Sequence, residues 1–333
     1  MSKLLNRSFS HIYVEKQVAN NYITKNILSK FKDSKVIYID DYKEVFSGFD
    51  QNFSIQKQSQ KIIIAEKKDN FIYQGSKMCH DFNNSAFFYA NNIINCLFDC
   101  KYCYLGGMYP SSNIVVFVNI EEFFYEIEKI SKSYKNIYLS YGYDTDIPIF
   151  ENIYPFIGEW INKINELSNI KMEIRTKSNI FHNVLSNKNI DNVIPAWTLN
   201  PQKFIEKYEK KTANLDERLV SIKKVQDMGI KVRLSIDPII IEGDFLKEYK
   251  LLIDKIFNFL NHEFIRDLSI GFFRIPNVYL KNLKKHSNSP IIFNNFEVID
   301  SIATYPLKEK ETAINSLINY LNRFIEREKI FII

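Results

Sequence analysis

The 333 residues, 46% of them hydrophobic, suffice for one large core or two modest ones, so one or two domains are expected. Forty-four Lys+Arg against 39 Asp+Glu leave a formal charge of +5, which permits contact with a nucleic-acid backbone without requiring it. The opening stretch MSKLLNRSFSHIYVEK has no uninterrupted apolar core of the signal-peptide kind, and no later apolar run approaches the roughly 18 residues a membrane span needs. A soluble, cytoplasmic protein with no membrane partner is therefore expected. Four cysteines in a large chain of a reducing compartment make a poor disulfide framework, and three of them are clustered, which points to metal or redox chemistry. The abundance of Lys, Asn, Ile, Phe and Tyr beside only nine glycines reads as nucleotide bias of the host genome.

In chain order, an amphipathic helix is predicted over 20–31, followed by short β-rich runs at 36–39 and 62–65 between polar stretches. This part, residues 1–84, reads as a small N-terminal α/β segment without chemistry of its own. From the cysteines onward, strand-like runs at 114–118, 137–140, 171–176, 193–199, 231–236 and 268–273 alternate with helical patterns at 120–132, 154–167, 215–228 and 244–260. That alternation predicts parallel βα units, and six of them suit an open, partial (β/α)6 barrel of TIM-like form over residues 85–275. The apolar stripes on those helices are read as core. Beyond Arg274 the alternation stops: Pro276, the basic residues Lys281, Lys284, Lys285 and His286, then Pro290 and an Asn pair predict a loop or hairpin insertion in a C-terminal extension, 276–333, closed by a helix over 309–327.

The central stretch NCLFDCKYCYLGGM places Cys96, Cys100 and Cys103 in a C-x3-C-x2-C spacing. Three thiolates on one tight loop can hold three irons of a [4Fe–4S] cubane. Such cubanes usually take four cysteines, so a three-cysteine site leaves one iron open, as catalytic zinc sites leave a position for substrate. The alternative is a structural zinc site completed by Cys79 or His80, although zinc knuckles favour paired ligands and seldom precede a long βα array.

With its small-residue turn, the βα array behind it and an aromatic, Tyr102, before the last cysteine, the loop resembles the radical S-adenosylmethionine superfamily. The segments NSAFFYANNIINC, CKYCYLGGM, VFVNIEE, SYGYDTDI, EIRTKSNIF, AWTLNP, LDERLVSIKKVQDMGI and SIDPIIIEG follow one another as similar segments do in the spore photoproduct lyase family. This resemblance implies an enzyme that repairs 5-thyminyl-5,6-dihydrothymine in ultraviolet-damaged DNA. A 5′-deoxyadenosyl radical from S-adenosyl-L-methionine would take a hydrogen from C6 of the dimer, the linking bond would break, and a protein group would return a hydrogen. It further implies a monomer served by a one-electron donor such as flavodoxin or ferredoxin. Position by position, Thr145 and Lys177 match residues that contact S-adenosylmethionine, while Thr198 and Asn200 match a Ser-x-Asn at a strand end. Tyr102 joins them as a cofactor contact. Ends of barrel strands face the active site, and an ammonium with short hydroxyls suits an amino-acid moiety.

The resemblance breaks in two places. Where the family carries its hydrogen-donating cysteine, this chain has Tyr143, and a phenol is the slower donor. Cys79 is expected to replace it, working with Tyr104 and Tyr102 as a relay; the bland reading is an inert, half-buried cysteine. The C-terminal stretch keeps basic and aromatic residues but lacks the family's arginine-rich run. Arg274, Lys281, Lys284 and Lys285 are the expected phosphate contacts, with Tyr279 or Phe293 as wedges near the lesion. Two other readings stay open: a relative with a different substrate, and a zinc-stabilised nucleic-acid-binding module without catalysis.

Overall fold

The computed structural model describes residues 8–49, 51–75, 80–84, 86–186 and 188–333. The chain divides into two compact units, one built from Met1–Leu97, Met108–Arg175 and Asn187–Val193, the other from Phe98–Gly107, Thr176–Ser186 and Ile194–Ile333.

The first unit holds two strand arrays. In a five-stranded sheet the strands His11–Glu15, Lys35–Ile39, Ile62–Ala65 and Ile114–Phe117 run parallel, and Ile93–Ile94 pairs antiparallel to the last of them. Ile62–Ala65 and Ile114–Phe117 are buried at every position, as strands covered on both faces must be, and both are unbroken apolar runs. The second array runs Ile72–Gln74, Ala86–Ala90, Ile137–Tyr141, Ile170–Thr176, antiparallel at its first pair and parallel after it. The helix Tyr22–Lys30 starts where Asn21 Oδ1 accepts the Ile23 amide at 2.8 Å, a side-chain cap that fixes its first turn.

The second unit carries, in this order, the strand Val193–Thr198 from Ile194 onward and the strands Val232–Ile239, Ile265–Phe272 and Ile330–Ile332, all parallel. The helices Leu215–Asp227 and Phe245–Phe259 fall between them in sequence. Leu215–Asp227 opens with a capping box: Asn214 Oδ1 accepts the Glu217 amide at 2.8 Å and Glu217 Oε2 accepts the Asn214 amide at 2.9 Å. A small antiparallel sheet of Arg274–Pro276, Ile302–Thr304 and Glu297–Ile299 and the helix Leu307–Leu321 complete it.

The structure corrects two expectations. Ile114–Phe117, taken as the first barrel strand, pairs instead with Ile62–Ala65; apolarity marks a buried strand but says nothing of its sheet. Ala86–Ala90 is the strand beside Ile137–Tyr141. The basic stretch predicted as loop or hairpin is a helix, Asn277–His286, whose Leu280 and Leu283 are buried while its lysines face solvent. The hairpin lies further on, Glu297–Ile299 against Ile302–Thr304, turned by Asp300 and Ser301 at φ 48° and 67°.

Candidate active site

In the first unit, Asn95 takes a left-handed conformation, φ 69°, and its amide donates to the carbonyls of Ser111 and Asn113, both at 2.8 Å. The next carbonyl, of Cys96, accepts from the buried Lys57 ammonium and from Gln60 Nε2 at 3.1 Å. The approach to the cysteines is therefore pinned by buried polar side chains.

In the second unit, Asp99–Cys100 pairs antiparallel with Glu209–Lys210, setting Cys100 opposite Glu209, and the Lys101 amide donates to the Tyr208 carbonyl at 2.8 Å. The chain then turns, with the Cys103 amide on the Cys100 carbonyl at 3.1 Å and the Gly107 amide on that of Tyr104 at 2.9 Å. Gly107 has no room for a side chain, because a Cβ there would lie 2.0 Å from the Tyr279 carbonyl oxygen. Asn282 Nδ2 donates to the Gly107 carbonyl at 3.1 Å, so the basic helix Asn277–His286 is seated on the end of the cysteine loop.

The organising group of this unit is Glu209, which the sequence reading missed. Its carboxylate is fully buried and takes the Tyr102 hydroxyl and Asn200 Nδ2 at 2.9 Å on Oε1, and Arg218 Nη2 at 2.5 Å on Oε2. Arg218, equally buried, also donates to the carbonyls of Thr198 at 2.9 Å and Ala213 at 3.0 Å and to Thr212 Oγ1 at 2.7 Å. Asn200 Oδ1 accepts from Tyr249 at 2.9 Å. The Lys177 ammonium stands 5.7 Å from the Tyr102 ring centroid, a cation–π contact. Burial pushes the Glu209 carboxyl up, but Arg218 and then Lys177 outweigh it and hold the group below the ordinary glutamate value. Burial, then the Glu209 charge, drives the Tyr102 phenol well above its usual value. Four residues picked out from the sequence, Tyr102, Lys177, Thr198 and Asn200, are thus gathered by two that were not. Glu209 sits among Lys207, Lys210 and Lys211, a composition that reads as a solvated surface.

Thr145 belongs to the first unit, on the turn after Ile137–Tyr141. Gly142 opens that turn at φ 82°, where a Cβ would meet Ile147 Cβ at 2.9 Å. Asp144 is buried, accepting from Asn91 and Tyr109, both at 2.9 Å. Thr145 Oγ1 is buried without a hydrogen-bond partner, as is Asn179 Oδ1 in the second unit, two residues after Lys177. An ordered water or a bound polar molecule would satisfy such atoms. Tyr143 is 38% exposed, its ring 5.1 Å from that of Tyr89, which stacks at 4.9 Å on Tyr73.

Cys79 lies outside the described residues. Arg274 is tied to Asp237, Nη1 to Oδ1 at 3.0 Å, whereas Lys281, Lys284 and Lys285 are exposed on one helix, with Lys284 5.4 Å from the ring of the exposed Phe293. Cys96, Cys100 and Cys103 are half-buried, and among the described residues no three His, Cys, Asp or Glu side chains are grouped so as to hold a single metal ion. Three soft thiol donors within eight residues and an orphaned hydroxyl are a donor set that suits an iron–sulfur cluster and an amino-acid-bearing cofactor.

The scaffold is the mixed α/β fold of spore photoproduct lyase. A double mutant of that enzyme with bound AdoMet and dinucleoside spore photoproduct superposes with a TM-score of 0.83 at 15% identity, over 98% of this chain and 99% of that one. Another spore photoproduct lyase, complexed with dinucleoside spore photoproduct, gives 0.83 at 15% identity over 97% and 98%. Comparison with curated protein sequences gives no significant match. The sequence profile described as spore photoproduct lyase matches residues 9–289, and the chain belongs to that family. It is thus an enzyme, a radical S-adenosylmethionine lyase. No helix among the described residues is long and apolar enough to cross a membrane.

Proposed function

We propose that this chain repairs 5-thyminyl-5,6-dihydrothymine in DNA, with a [4Fe–4S] cluster on Cys96, Cys100 and Cys103 and S-adenosylmethionine as its cofactors. The observation that carries the reading is the family match over residues 9–289 together with the intact three-cysteine loop inside it. The cofactors, once bound, supply an adenosyl radical; the protein supplies position and exclusion of water. Thr145 offers an unpaired buried hydroxyl to the S-adenosylmethionine, and Lys177 an ammonium to its carboxylate. Thr198 and Asn200 line the same strand end, Asn200 with both amide atoms already engaged by Glu209 and Tyr249. A partial (β/α)6 barrel over residues 85–275 belongs to the same reading, on the alternation of strand and helix patterns in the sequence.

Cys79 is the proposed hydrogen donor, with Tyr104 and Tyr102 in the relay, because Tyr143 occupies the family's cysteine position. Cys79→Ala should then leave S-adenosylmethionine cleavage intact and divert the thymine radical to side products. Arg274, Lys281, Lys284 and Lys285 are the proposed phosphate contacts, Arg274 being paired with Asp237. Damaged DNA is the partner, a monomeric cytoplasmic enzyme the expected form, and a flavodoxin or ferredoxin the electron source.

The test is to reconstitute the cluster without oxygen, add reductant, S-adenosylmethionine and a spore-photoproduct dinucleotide, and follow thymine dinucleotide release. Repair is the expected result. Deoxyadenosine without repair would favour a second reading, a family relative with another substrate, which the Tyr143 replacement makes chemically reasonable.

A further inference from the structure

We propose that Glu209 is the positioning residue of the cysteine loop, fixing the turn of residues 100–103 and setting the charge beside the iron–sulfur cluster that the proposed function assigns to it. Residue 209 meets this turn twice, once through its backbone and once through its carboxylate. The backbone pair Glu209↔Cys100 aligns the second cysteine, and the Tyr102 hydroxyl is bonded to Oε1 between the second and third. Asn200 Nδ2, at 2.9 Å on the same oxygen, fixes the carboxylate against the chain just after the Val193–Thr198 strand. The other oxygen is clamped by Arg218, itself anchored to three acceptors at 2.7–3.0 Å.

Such a pair has no need to exist for stability. Removing two charges from water costs more than their attraction commonly returns, and an apolar pair of the same volume would serve the core as well. A glutamate bonded to the residue between two cysteines and paired through its backbone with one of them has another use: hydrogen bonding and net charge close to an iron–sulfur cluster govern its potential, and partners behind the ligands orient them. Glu209 opposes electron uptake by its charge, while Arg218 and Lys177 moderate it. Replacing the carboxylate by an amide leaves a net positive charge in a buried setting, so electron uptake becomes easier.

The test is an anaerobic redox titration of the reconstituted full chain, read by the electron paramagnetic resonance of the reduced cluster, after iron has been measured. Glu209→Gln should move the midpoint positive by tenfold or more in the reduction equilibrium, about 59 mV for one electron. Glu209→Asp and Arg218→Lys disturb the same contacts but keep the charges, and should shift it less than threefold. Equal shifts in all three, or none in any, overturn the proposal. If Glu209→Gln fails to accumulate, Tyr102→Phe is read for loss of iron to a chelator: severalfold faster loss is expected, and an unchanged rate overturns the proposal. A wild-type protein that takes up no iron would overturn the cluster reading itself, and the proposal with it, before any variant is compared.

Discussion

Glu15 in the first unit and Glu209 in the second are both buried, and they do different things. Glu15, at the end of His11–Glu15, accepts the backbone amides of Tyr42 at 2.7 Å and Glu66 at 2.8 Å and the Gln17 side chain at 2.8 Å. It sews together the ends of three neighbouring parallel strands. Burial lifts its carboxyl above the ordinary value, and the two backbone amides only partly offset that. Glu209 has the charges of a guanidinium and an ammonium acting on it, is held low, and reaches the Tyr102 hydroxyl, one residue before Cys103. Burial of a charge is therefore no sign of function by itself; what distinguishes Glu209 is the sign and the identity of its partners.

The largest effect that could break this contrast is loss of the Glu209–Arg218 pair. Glu209→Gln leaves a guanidinium buried without its counter-charge and should cost about 3–5 kcal/mol, with Arg218→Met in the same chain restoring much of it. Thermal unfolding of the single and double variants checks this, and additive losses would contradict it.

A half-buried carboxyl sharpens the comparison through pH. Glu151 is pushed up to about 7 by burial, which Lys188 and Lys30 only partly offset. Its folded-state value lies above the unfolded 4.5, so between those values the folded chain holds a proton that the unfolded chain has released. Stability from this group is full below about pH 4.5 and falls as pH rises to about 7, by about 2–3 kcal/mol. Glu151→Gln, which can still accept the Ile157 amide, should raise the melting temperature at pH 8 and leave it little changed at pH 4.5.

Glu15→Gln should cost about 1–3 kcal/mol, since the amide nitrogen must face one of the two backbone N–H groups. The cluster potential should not move, and a shift equal to that of Glu209→Gln would erase the distinction between the two sites. Gly107→Ala should cost about 1–3 kcal/mol by forcing Tyr279 back from the loop, with faster loss of iron as its companion readout.

Much of the fold was legible because buried parallel strands are written as apolar runs: the predicted 62–65 coincides with Ile62–Ala65, and 193–199 overshoots Val193–Thr198 by one residue. Partner choice is not written there, so Ile114–Phe117 was assigned to the wrong sheet. The basic helix Asn277–His286 was obscured by flanking prolines, although its buried Leu280 and Leu283 keep a helical interval. Of the residues around Glu209, Tyr102, Lys177, Thr198 and Asn200 are the ones that ordered resemblance singles out. Glu209 and Arg218 are not among them, because a glutamate among lysines and an arginine in a charged helix look solvated until the fold closes over them.

The most direct test of the account is the metal content of wild-type protein purified and reconstituted without oxygen. About four irons and four sulfides per chain, lost in Cys100→Ala, are predicted. Stoichiometric zinc with no iron would contradict the account.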